Sequence, residues 1–407
     1  MFYQRHADEA ILKLSRMFGA VLVTGARQTG KTTLLKEITG SVEYVTLDDT
    51  LQLVNASGQA GTFFLDHPPP VFVDEIQYAP SLFTQIKLIL DRKKRKGQFF
   101  LSGSQTFEMM KHVSESLAGR IGILNLPGLS LREIYGVSTR EPFLPTDAFL
   151  ACRQRNCVTI PYGDVWRILH RGSYPELCAH TDFDWQMYYA AYVRTYIERD
   201  VRSLSQVGDE TKFIQFLTIA ASRTGQLLNL NGMARDVGIS QPTAERWLSV
   251  LAASNIIFLV KPYSNNMTKR MVKTPKLYFM DTGLAAYLTR WTDADVLRNG
   301  AMAGAFFETF VVNEIAKSYL NRGILDVPVY FLRDRDGHEI DLLIENSGTL
   351  YPIEIKKHAD PTRSDIASFN LLDKIPGMKR GPGGVVCLYD RLNTLQGNDR
   401  VIPICLL

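Results

Sequence analysis

The sequence predicts an α/β protein, and three patterns along the chain support this fold class. In the first third, short apolar strands alternate with helical stretches, which is typical of a parallel sheet covered by helices. The middle contains two short helices that are joined by a glycine turn and followed by strands. The last third contains an amphipathic helix followed by a strand hairpin that carries acidic residues.

Composition narrows the kind of protein. The chain has 407 residues, a formal net charge of +4 and 45% hydrophobic residues, which is ordinary for a globular protein of two or three domains. The charge is compatible with a polyanionic partner but does not require one. The densest apolar run, 256–260, is far shorter than the ~20 residues of a membrane-spanning helix, and the five cysteines form no Cys-x-x-Cys pair. We therefore expect a cytoplasmic protein with no membrane partner, no disulfide framework and no zinc ribbon.

A glycine-rich loop follows the first apolar strand, 20–24, and fits the pattern G-x-x-x-x-G-K-T before a helical segment. In this context the glycines let backbone N–H groups point at phosphates, and the helix N-terminus adds partial positive charge. Lys31 is predicted to reach the β- and γ-phosphates, and Thr32 to bind Mg²⁺. The predicted nucleotide-binding residues are Gly25, Ala26, Arg27, Gln28, Thr29, Gly30, Lys31, Thr32 and Thr33.

Two acidic residues end the apolar strand that begins at Pro70. In ATPases with such a loop, an acid at the end of a strand holds Mg²⁺, and the next acid commonly polarises the attacking water. The sequence therefore predicts Asp74 as a metal-binding residue and Glu75 as the general base.

Two further polar residues are candidates for contact with the triphosphate. Ser104 follows another apolar strand and is predicted to contact the γ-phosphate or the lytic water, the alternative being a turn residue. Arg120 precedes the strand 121–126 and is predicted either to sense phosphate within its own chain or to act as an arginine finger on a neighbouring subunit. A plain surface arginine is the alternative.

The motifs of this first third together resemble one ATPase family. They are the glycine loop, a strand running into Leu47–Asp49, and the sequences VFVDEIQ, FFLSGSQ, SLAGR and LSLREI. In this order they resemble the AAA+ ATPases of the bacterial and archaeal type that carry a C-terminal domain of unknown function. The resemblance covers nearly the whole chain. It implies an ATPase domain over 1–140 that binds ATP and Mg²⁺, and a chain that can form homo-oligomers.

The middle of the chain is predicted to contain a helical linker, 141–205, and a winged-helix domain, 206–290. Within the latter, helices at 230–237 and 241–253 flank a glycine turn, and strands on either side of a basic link form a β-wing. In DNA-binding versions the second helix enters the major groove, so the exposed readers would be Gln241, Thr243 and Arg246. Winged helices that bind proteins, or that act as ATPase lids, remain the alternative.

Residues 291–407 are predicted to form a nuclease-like core. The hairpin can place Asp341 beside Glu354, and alternation along a strand puts Glu354 and Lys356 on one face. A helix glutamate, Glu308, followed by an aspartate and Glu-x-Lys, is the constellation of the PD-(D/E)xK nuclease fold, and the same AAA+ family is similar in carrying such a core. The carboxylates would gather one or two divalent ions that activate water, and the lysine would orient the nucleophile or neutralise charge.

The predicted catalytic residues of this restriction-endonuclease-like core are Glu308, Asp341, Glu354 and Lys356. Asp341 and Glu354 are also predicted to bind a second divalent ion, besides the Mg²⁺ of the ATPase site. The whole chain is thus predicted to hydrolyse ATP and to act on DNA. One alternative is an ATPase whose C-terminal domain is an inert protein-interaction module in signalling or toxin-linked defence. Another is an ATP-independent DNA-binding module with a degenerate loop.

Overall fold

The computed structural model describes residues 3–104, 107–197, 209–264, 274–334 and 336–407. Its N-terminal part is a five-stranded parallel sheet with the order β2-β3-β4-β1-β5. The strands are β1 (Ala20–Thr24), β2 (Glu43–Thr46), β3 (Val71–Asp74), β4 (Phe99–Ser102) and β5 (Ile121–Asn125). β4 therefore lies between the strand that precedes the glycine loop and the strand that ends in Asp74.

Helices cover both faces of this sheet, which explains why β1, β3 and β4 are buried along their whole length. Side chains of β1 alternate between two apolar clusters, with Leu22 in one and Val21 and Val23 in the other. The helices are α1 (Asp8–Met17), α2 (Lys31–Thr39), α3 (Thr50–Gly58), α4 (Ala60–Asp66), α5 (Ser81–Lys93), α6 (Phe107–Leu117) and α7 (Leu131–Ile134), and a 3₁₀ turn covers Ile76–Tyr78.

The middle of the chain is mostly helical. It contains α8 (Asp147–Asn156), α9 (Tyr162–Arg171), α10 (Pro175–Ala179), α11 (Trp185–Tyr192) with a π-helical extension Val193–Ile197, α12 (Glu210–Ser222), α13 (Leu230–Val237), α14 (Gln241–Ala253), α15 (Thr282–Leu288) and α16 (Ala294–Asn299). Ser240 caps α14 by accepting from the Thr243 N–H, and Gly238 ends α13 with φ 71°. The two helices of the predicted helix-turn-helix are present at the predicted bounds. Their identification as part of a winged helix stays a prediction, and three residues of the predicted basic link, Lys269, Arg270 and Lys273, lie outside the described residues.

A second sheet joins the middle of the chain to the C-terminal part. Its order is β14-β15-β13-β11-β10-β9-β7-β8-β6, with β12 paired to β11. The strands are β6 (Gln226–Leu227), β7 (Ile257–Pro262), β8 (Lys276–Phe279), β9 (Val329–Arg333), β10 (Glu339–Asn346), β11 (Thr349–Lys356), β12 (Lys379–Arg380), β13 (Gly384–Cys387), β14 (Asn393–Gln396) and β15 (Asp399–Pro403). The link is the parallel pairing of β7 with β9, in which Lys261 lies opposite Tyr330.

The sheet therefore continues across the predicted domain boundary at 290/291. One apolar core also extends across this boundary, with side chains from Leu131 to Leu407. A long helix, α17 (Ala303–Leu320), packs in this core. Two 3₁₀ segments, Arg363–Lys374 and Ile404–Leu406, complete the C-terminal part. The predicted boundaries themselves stay predictions, but the parts that they separate share one sheet and one core.

Among the helices in the described ranges, none combines the length and the apolar character that crossing a bilayer would require.

Candidate nucleotide-binding site and C-terminal acid cluster

The loop 25–30 joins β1 to α2 and takes a backbone conformation that requires its glycines. Gly25 has φ 147°, and a Cβ at this position would collide with the backbone oxygen of Leu126. Gly30 precedes α2 with φ 88°. Gly30 has no side chain with which to cap α2, and the positive end of the helix dipole at this terminus favours an anion.

Lys31 folds back over this loop. Its Nζ donates to the backbone oxygens of Gly25, at 3.2 Å, and Ala26, at 2.9 Å, and the side chain is buried. A phosphate oxygen is a stronger acceptor for an ammonium group than a neutral carbonyl oxygen. The loop, its lysine and the N-terminus of α2 therefore fit a bound triphosphate.

Hydroxyl groups from three elements converge on the buried carboxylate of Asp74. Thr32 Oγ1 donates to both carboxylate oxygens, at 3.1 and 2.9 Å. Tyr44 donates to Oδ2 at 3.1 Å, and Ser102 donates to Oδ1. Carboxylate and hydroxyl oxygens are ligands that Mg²⁺ accepts, so the predicted pair of Thr32 and Asp74 fits this ion.

Ser102 and Tyr44 were not among the predicted site residues. Ser102 carried a usable signal, because it is a polar residue at the end of an apolar strand. Tyr44 lies within β2, the strand that runs into Leu47–Asp49, but no pattern in the sequence singles out this residue. Burial and the nearby charge of Asp74 raise the pKa of Tyr44 to about 12, which keeps its hydroxyl a hydrogen-bond donor at neutral pH.

Glu75 follows Asp74 directly and has a left-handed backbone with φ 58°. This conformation is uncommon for a residue other than glycine, and such strain often marks functional positions. Gln77 Nε2 donates to Glu75 Oε2, while Gln77 Oε1 is buried without a hydrogen-bond partner among the described residues. Gly103 leaves room for this amide, because a Cβ there would overlap Gln77 Oε1.

Ser104 lies two residues beyond β4, near the edge of the sheet that carries Asp74. Its side chain is buried, and its Oγ forms no hydrogen bond with any described residue. Buried hydroxyl groups almost always have a partner, so this oxygen is available to a ligand at that edge.

Arg120 lies at the amino ends of the parallel strands, on the side of the sheet away from the glycine loop. It precedes β5, whose first residue, Ile121, pairs with Ala20 at the start of β1, whereas the glycine loop follows the end of β1. Arg120 Nε forms an ion pair with Asp91 Oδ1 at 2.6 Å. This position does not fit phosphate sensing within the same chain, and a role toward a neighbouring subunit stays a prediction.

Three side chains outside the predicted motifs also lie against the glycine loop. Arg5 donates to the backbone oxygen of Thr29 at 2.6 Å, and Tyr188, on α11, donates to the side chain of Gln28. Pro175, at the start of α10, lies beside Gly30. All three are distant in sequence from their partners, so local patterns could not reveal them. The predicted linker is thus in direct contact with the loop.

In the C-terminal part, the hairpin of β10 and β11 brings three of the predicted residues together. The strands are antiparallel, with Leu342 opposite Ile353, which places Asp341 next to Glu354. Asp341 Oδ2 accepts from the Ile355 N–H at 2.9 Å, and Lys356 Nζ donates to Glu354 Oε1 at 2.7 Å.

Glu308, on α17, faces this hairpin but has other partners. Its Oε1 accepts from Tyr278 OH at 2.6 Å and from Lys276 Nζ at 3.0 Å, and Lys276 also forms an ion pair with Glu339. The sequence interpretation missed Lys276, Tyr278 and Glu339. It assigned Lys276 and Tyr278 to the wing of the middle domain, and only the continuous sheet brings them to the C-terminal acids.

Burial and mutual repulsion perturb the acids of this cluster. Burial and the charge of Asp341 raise the pKa of Glu354 to about 8, although Lys356 opposes the change. Burial also raises the pKa of Glu308, against the opposing effect of Lys276. Glu354 Oε2 is buried without a partner among the described residues. This orphaned oxygen beside Asp341 fits a divalent cation, because such an ion would favour the charged form of both carboxylates.

The three predicted acids do not form a compact ligand set. Within the described ranges, one group of three His, Cys, Asp or Glu residues has ligand atoms all within 4.8 Å of one another, and it is Asp334, Asp336 and His338 at a partly exposed turn. Glu308 is therefore set apart from the pair formed by Asp341 and Glu354.

Comparison with known families divides the chain into three parts. Residues 18–135 match the family model of the AAA domain. Residues 162–295 and 303–407 match two domains of unknown function, DUF8612 and DUF4143. The N-terminal part is thus an AAA-like P-loop ATPase domain, as the motifs predicted.

Similar whole proteins are also known. Two uncharacterized proteins, from Mycobacterium tuberculosis and Mycobacterium bovis, are each 29% identical over 362 residues, which cover 87% of this chain and 74% of the relative. A Walker-type ATPase of Pyrococcus abyssi is 16% identical, with a TM-score of 0.44, and the match covers 71% of this chain and 96% of that one.

Proposed function

We propose that this chain is an ATP hydrolase that acts on DNA, and that its C-terminal domain cleaves phosphodiester bonds with the help of a divalent metal ion. The observation that carries the first half is the meeting of Lys31, Thr32 and Asp74 at one edge of the parallel sheet. The second half rests on Asp341, Glu354 and Lys356, with the buried and unpartnered oxygen of Glu354 among them.

Each residue of the ATPase site has a role in this proposal. The N–H groups of the loop and the ammonium of Lys31 bind the triphosphate, while Thr32 and Asp74 would hold Mg²⁺, which neutralises phosphate charge when bound. Glu75 accepts a proton from the attacking water as this water bonds to the γ-phosphorus and the bond to ADP breaks. Ser104 donates its free hydroxyl to the γ-phosphate or to that water.

The ATP half is tested by the Lys31→Ala variant. We expect its affinity for ATP to fall by about 10- to 100-fold, since a charge-assisted hydrogen bond contributes about 1.5–3 kcal/mol. Isothermal calorimetry measures the affinity, and phosphate release measures turnover. The matched control is Lys13→Ala, which removes an exposed lysine of α1 and should leave both values unchanged. Equal ATP binding by Lys31→Ala and the wild type would contradict the proposal and favour a degenerate loop.

At the C-terminal site, Asp341 and Glu354 would hold the divalent ion, which when bound supplies an activated water and neutralises charge on the reacting phosphorus. Lys356, 2.7 Å from Glu354 Oε1, is close enough to orient the water or to balance charge. DNA would reach the chain partly through α14, whose Gln241 and Arg246 side chains are exposed.

The DNA half is tested by incubating supercoiled plasmid with Mg²⁺ or Mn²⁺. We expect cleavage by the wild type, at least about 100-fold slower cleavage by Glu354→Gln, and unchanged cleavage by Asp326→Asn, which alters an exposed acid. Binding of duplex DNA, measured without metal, should weaken steeply as salt rises. Binding without cleavage under any metal would favour the inert core, and absent or salt-independent binding would favour a protein partner.

A further inference from the structure

A lysine from outside the C-terminal hairpin is buried within its acid cluster. Lys276, the first residue of β8, is 4% exposed, lies 3.0 Å from Glu308 Oε1 and pairs with Glu339. Burial alone would lower the pKa of Lys276, but the charges of Glu308, Asp341 and Glu339 outweigh it and raise the value. The amine is therefore a protonated ammonium group at neutral pH.

We propose that Lys276 is a built-in cation that occupies the Glu308 side of this cluster and so restricts the site to one divalent metal ion, held by Asp341 and Glu354. This inference rests on the metal site proposed above. It assigns Lys276 a positioning role, because the lysine acts by setting where the ion can bind.

The hydrogen bonds of Glu308 support this assignment. Its Oε1 already accepts from Lys276 and from Tyr278, which lie two residues apart and so share one face of β8. A divalent ion on this oxygen would lie beside the ammonium group, in a buried place where like charges repel strongly. Oε1 of Glu308 therefore has two donors without a metal.

The opposite side of the cluster has acceptor capacity to spare. Glu354 Oε2 is buried without a partner among the described residues, and the neighbouring Asp341 accepts from the Ile355 N–H through Oδ2. Glu308 does not complete a group of three acids with ligand atoms within 4.8 Å of one another. The vacant oxygen of Glu354, beside Asp341, thus points to one ion between these two residues.

Charge balance leads to the same number. The carboxylates are those of Glu308, Glu339, Asp341 and Glu354, and the buried or half-buried ammonium groups are those of Lys276 and Lys356. A bound cation favours the ionised form of all four carboxylates, and the six groups then carry a net charge of −2, which one divalent ion neutralises and a second would reverse. Arg333 is 3.8 Å from Glu339, but its side chain is 47% exposed, so solvent screens its charge.

The experiment counts Mn²⁺ ions bound by the nucleotide-free, full-length chain, using electron paramagnetic resonance of free and bound Mn²⁺. Every protein carries Asp74→Asn, which removes the carboxylate of the ATPase site, and Asp336→Asn, which breaks up the group of Asp334, Asp336 and His338. We expect one bound ion per chain in this parent protein and none after the further change Glu354→Gln. Lys276→Met should bind two ions, whereas Lys276→Arg, which keeps the positive charge, should bind one.

A single ion in Lys276→Met, in a protein whose circular dichroism matches the parent, would overturn the inference and leave the proposed metal site standing. Two ions in the parent protein would overturn it as well. No bound ion in the parent would contradict the metal site of the proposed function itself, and the inference with it. Lys276→Gln provides a second neutral variant, and the parent count decides between one ion and two even if neither neutral variant folds.

Discussion

We expect the Glu75→Gln variant to hydrolyse ATP about 100- to 10,000-fold more slowly than the wild type, while it binds ATP with similar affinity. Glutamine has nearly the size of glutamate but cannot accept the proton of the attacking water. Glutamine must adopt the same left-handed backbone conformation as glutamate at this position. The change therefore tests the effect of the carboxylate alone. Phosphate release gives the rate, and calorimetry gives the affinity.

A matched control for this variant lies in the neighbouring helix. Glu37→Gln neutralises an exposed glutamate of α2 and should keep the wild-type rate. If Glu75→Gln retained more than about a tenth of the wild-type rate, general-base catalysis by Glu75 would be ruled out, since that role supplies at least about 100-fold. A parallel loss of ATP binding would instead indicate that Glu75 supports the shape of the loop.

The features that the sequence predicted at the ATPase site are local in the chain. The glycine loop, Lys31 and Thr32 are contiguous, and Asp74 ends its own apolar strand. Their meeting with Ser102 and Tyr44 depends on the order of parallel strands, which places β4 and β2 on either side of β3. No local pattern encodes that order, and the contacts of these two residues with Asp74 therefore appear only in the folded chain.

The position of Arg120 relative to the glycine loop could have been predicted from the sequence. Arg120 precedes an apolar strand, whereas Gly25 and Asp74 lie at or beyond strand ends. In a parallel sheet, all strands start at one edge and end at the other, so this difference already separates Arg120 from the loop. For Lys276 the sequence carries no such signal. Lys276 reaches the C-terminal acids because β8 pairs with β7 and β7 pairs with β9, and no local pattern predicts that long-range pairing.

Contacts between residues far apart in sequence also join the ATPase domain to the rest of the chain. Two buried residues of α17, Glu314 and Lys317, bond to the segment that follows β5. Glu314 accepts from the Leu131 N–H at 2.6 Å, and Lys317 donates to the backbone oxygen of Leu129 at 2.8 Å. This segment leads directly to Glu133, whose side chain links it to the glycine loop through Arg5.

We expect Glu133→Gln to lower the free energy of unfolding by about 3–5 kcal/mol, because it leaves the buried guanidinium of Arg5 without its anion. Glu133 accepts from Arg5 Nε at 3.0 Å, from the His6 N–H at 2.8 Å and from the Ser130 N–H at 2.7 Å. Urea unfolding, followed by fluorescence at neutral pH, measures the loss. The control Glu115→Gln, at an exposed site, should change the value by less than about 0.5 kcal/mol.

The destabilising effect of Glu133→Gln should depend on pH. Burial opposes ionisation of Glu133, but the charge of Arg5 and several N–H donors lower its pKa from 4.5 to about 2. The stabilising effect is therefore complete above pH 4.5 and is lost as the pH falls through about 2. The difference between wild type and Glu133→Gln should stay constant from neutral pH to about pH 5 and shrink below it. A difference that does not change down to pH 3 would contradict an ionised Glu133.

Glu133→Gln should also affect ATP binding, although its side chain does not reach the triphosphate. Arg5 donates to Glu133 and, at 2.6 Å, to the backbone oxygen of Thr29 within the glycine loop. Without the Glu133 carboxylate, the position of Arg5 is less well fixed, and so is that of the glycine loop. Ordering the loop then uses part of the free energy of ATP binding, which lowers the affinity. We expect a loss of affinity that is smaller than that of Lys31→Ala. Unchanged affinity in a destabilised Glu133→Gln protein would show that Arg5 holds the loop without its carboxylate partner.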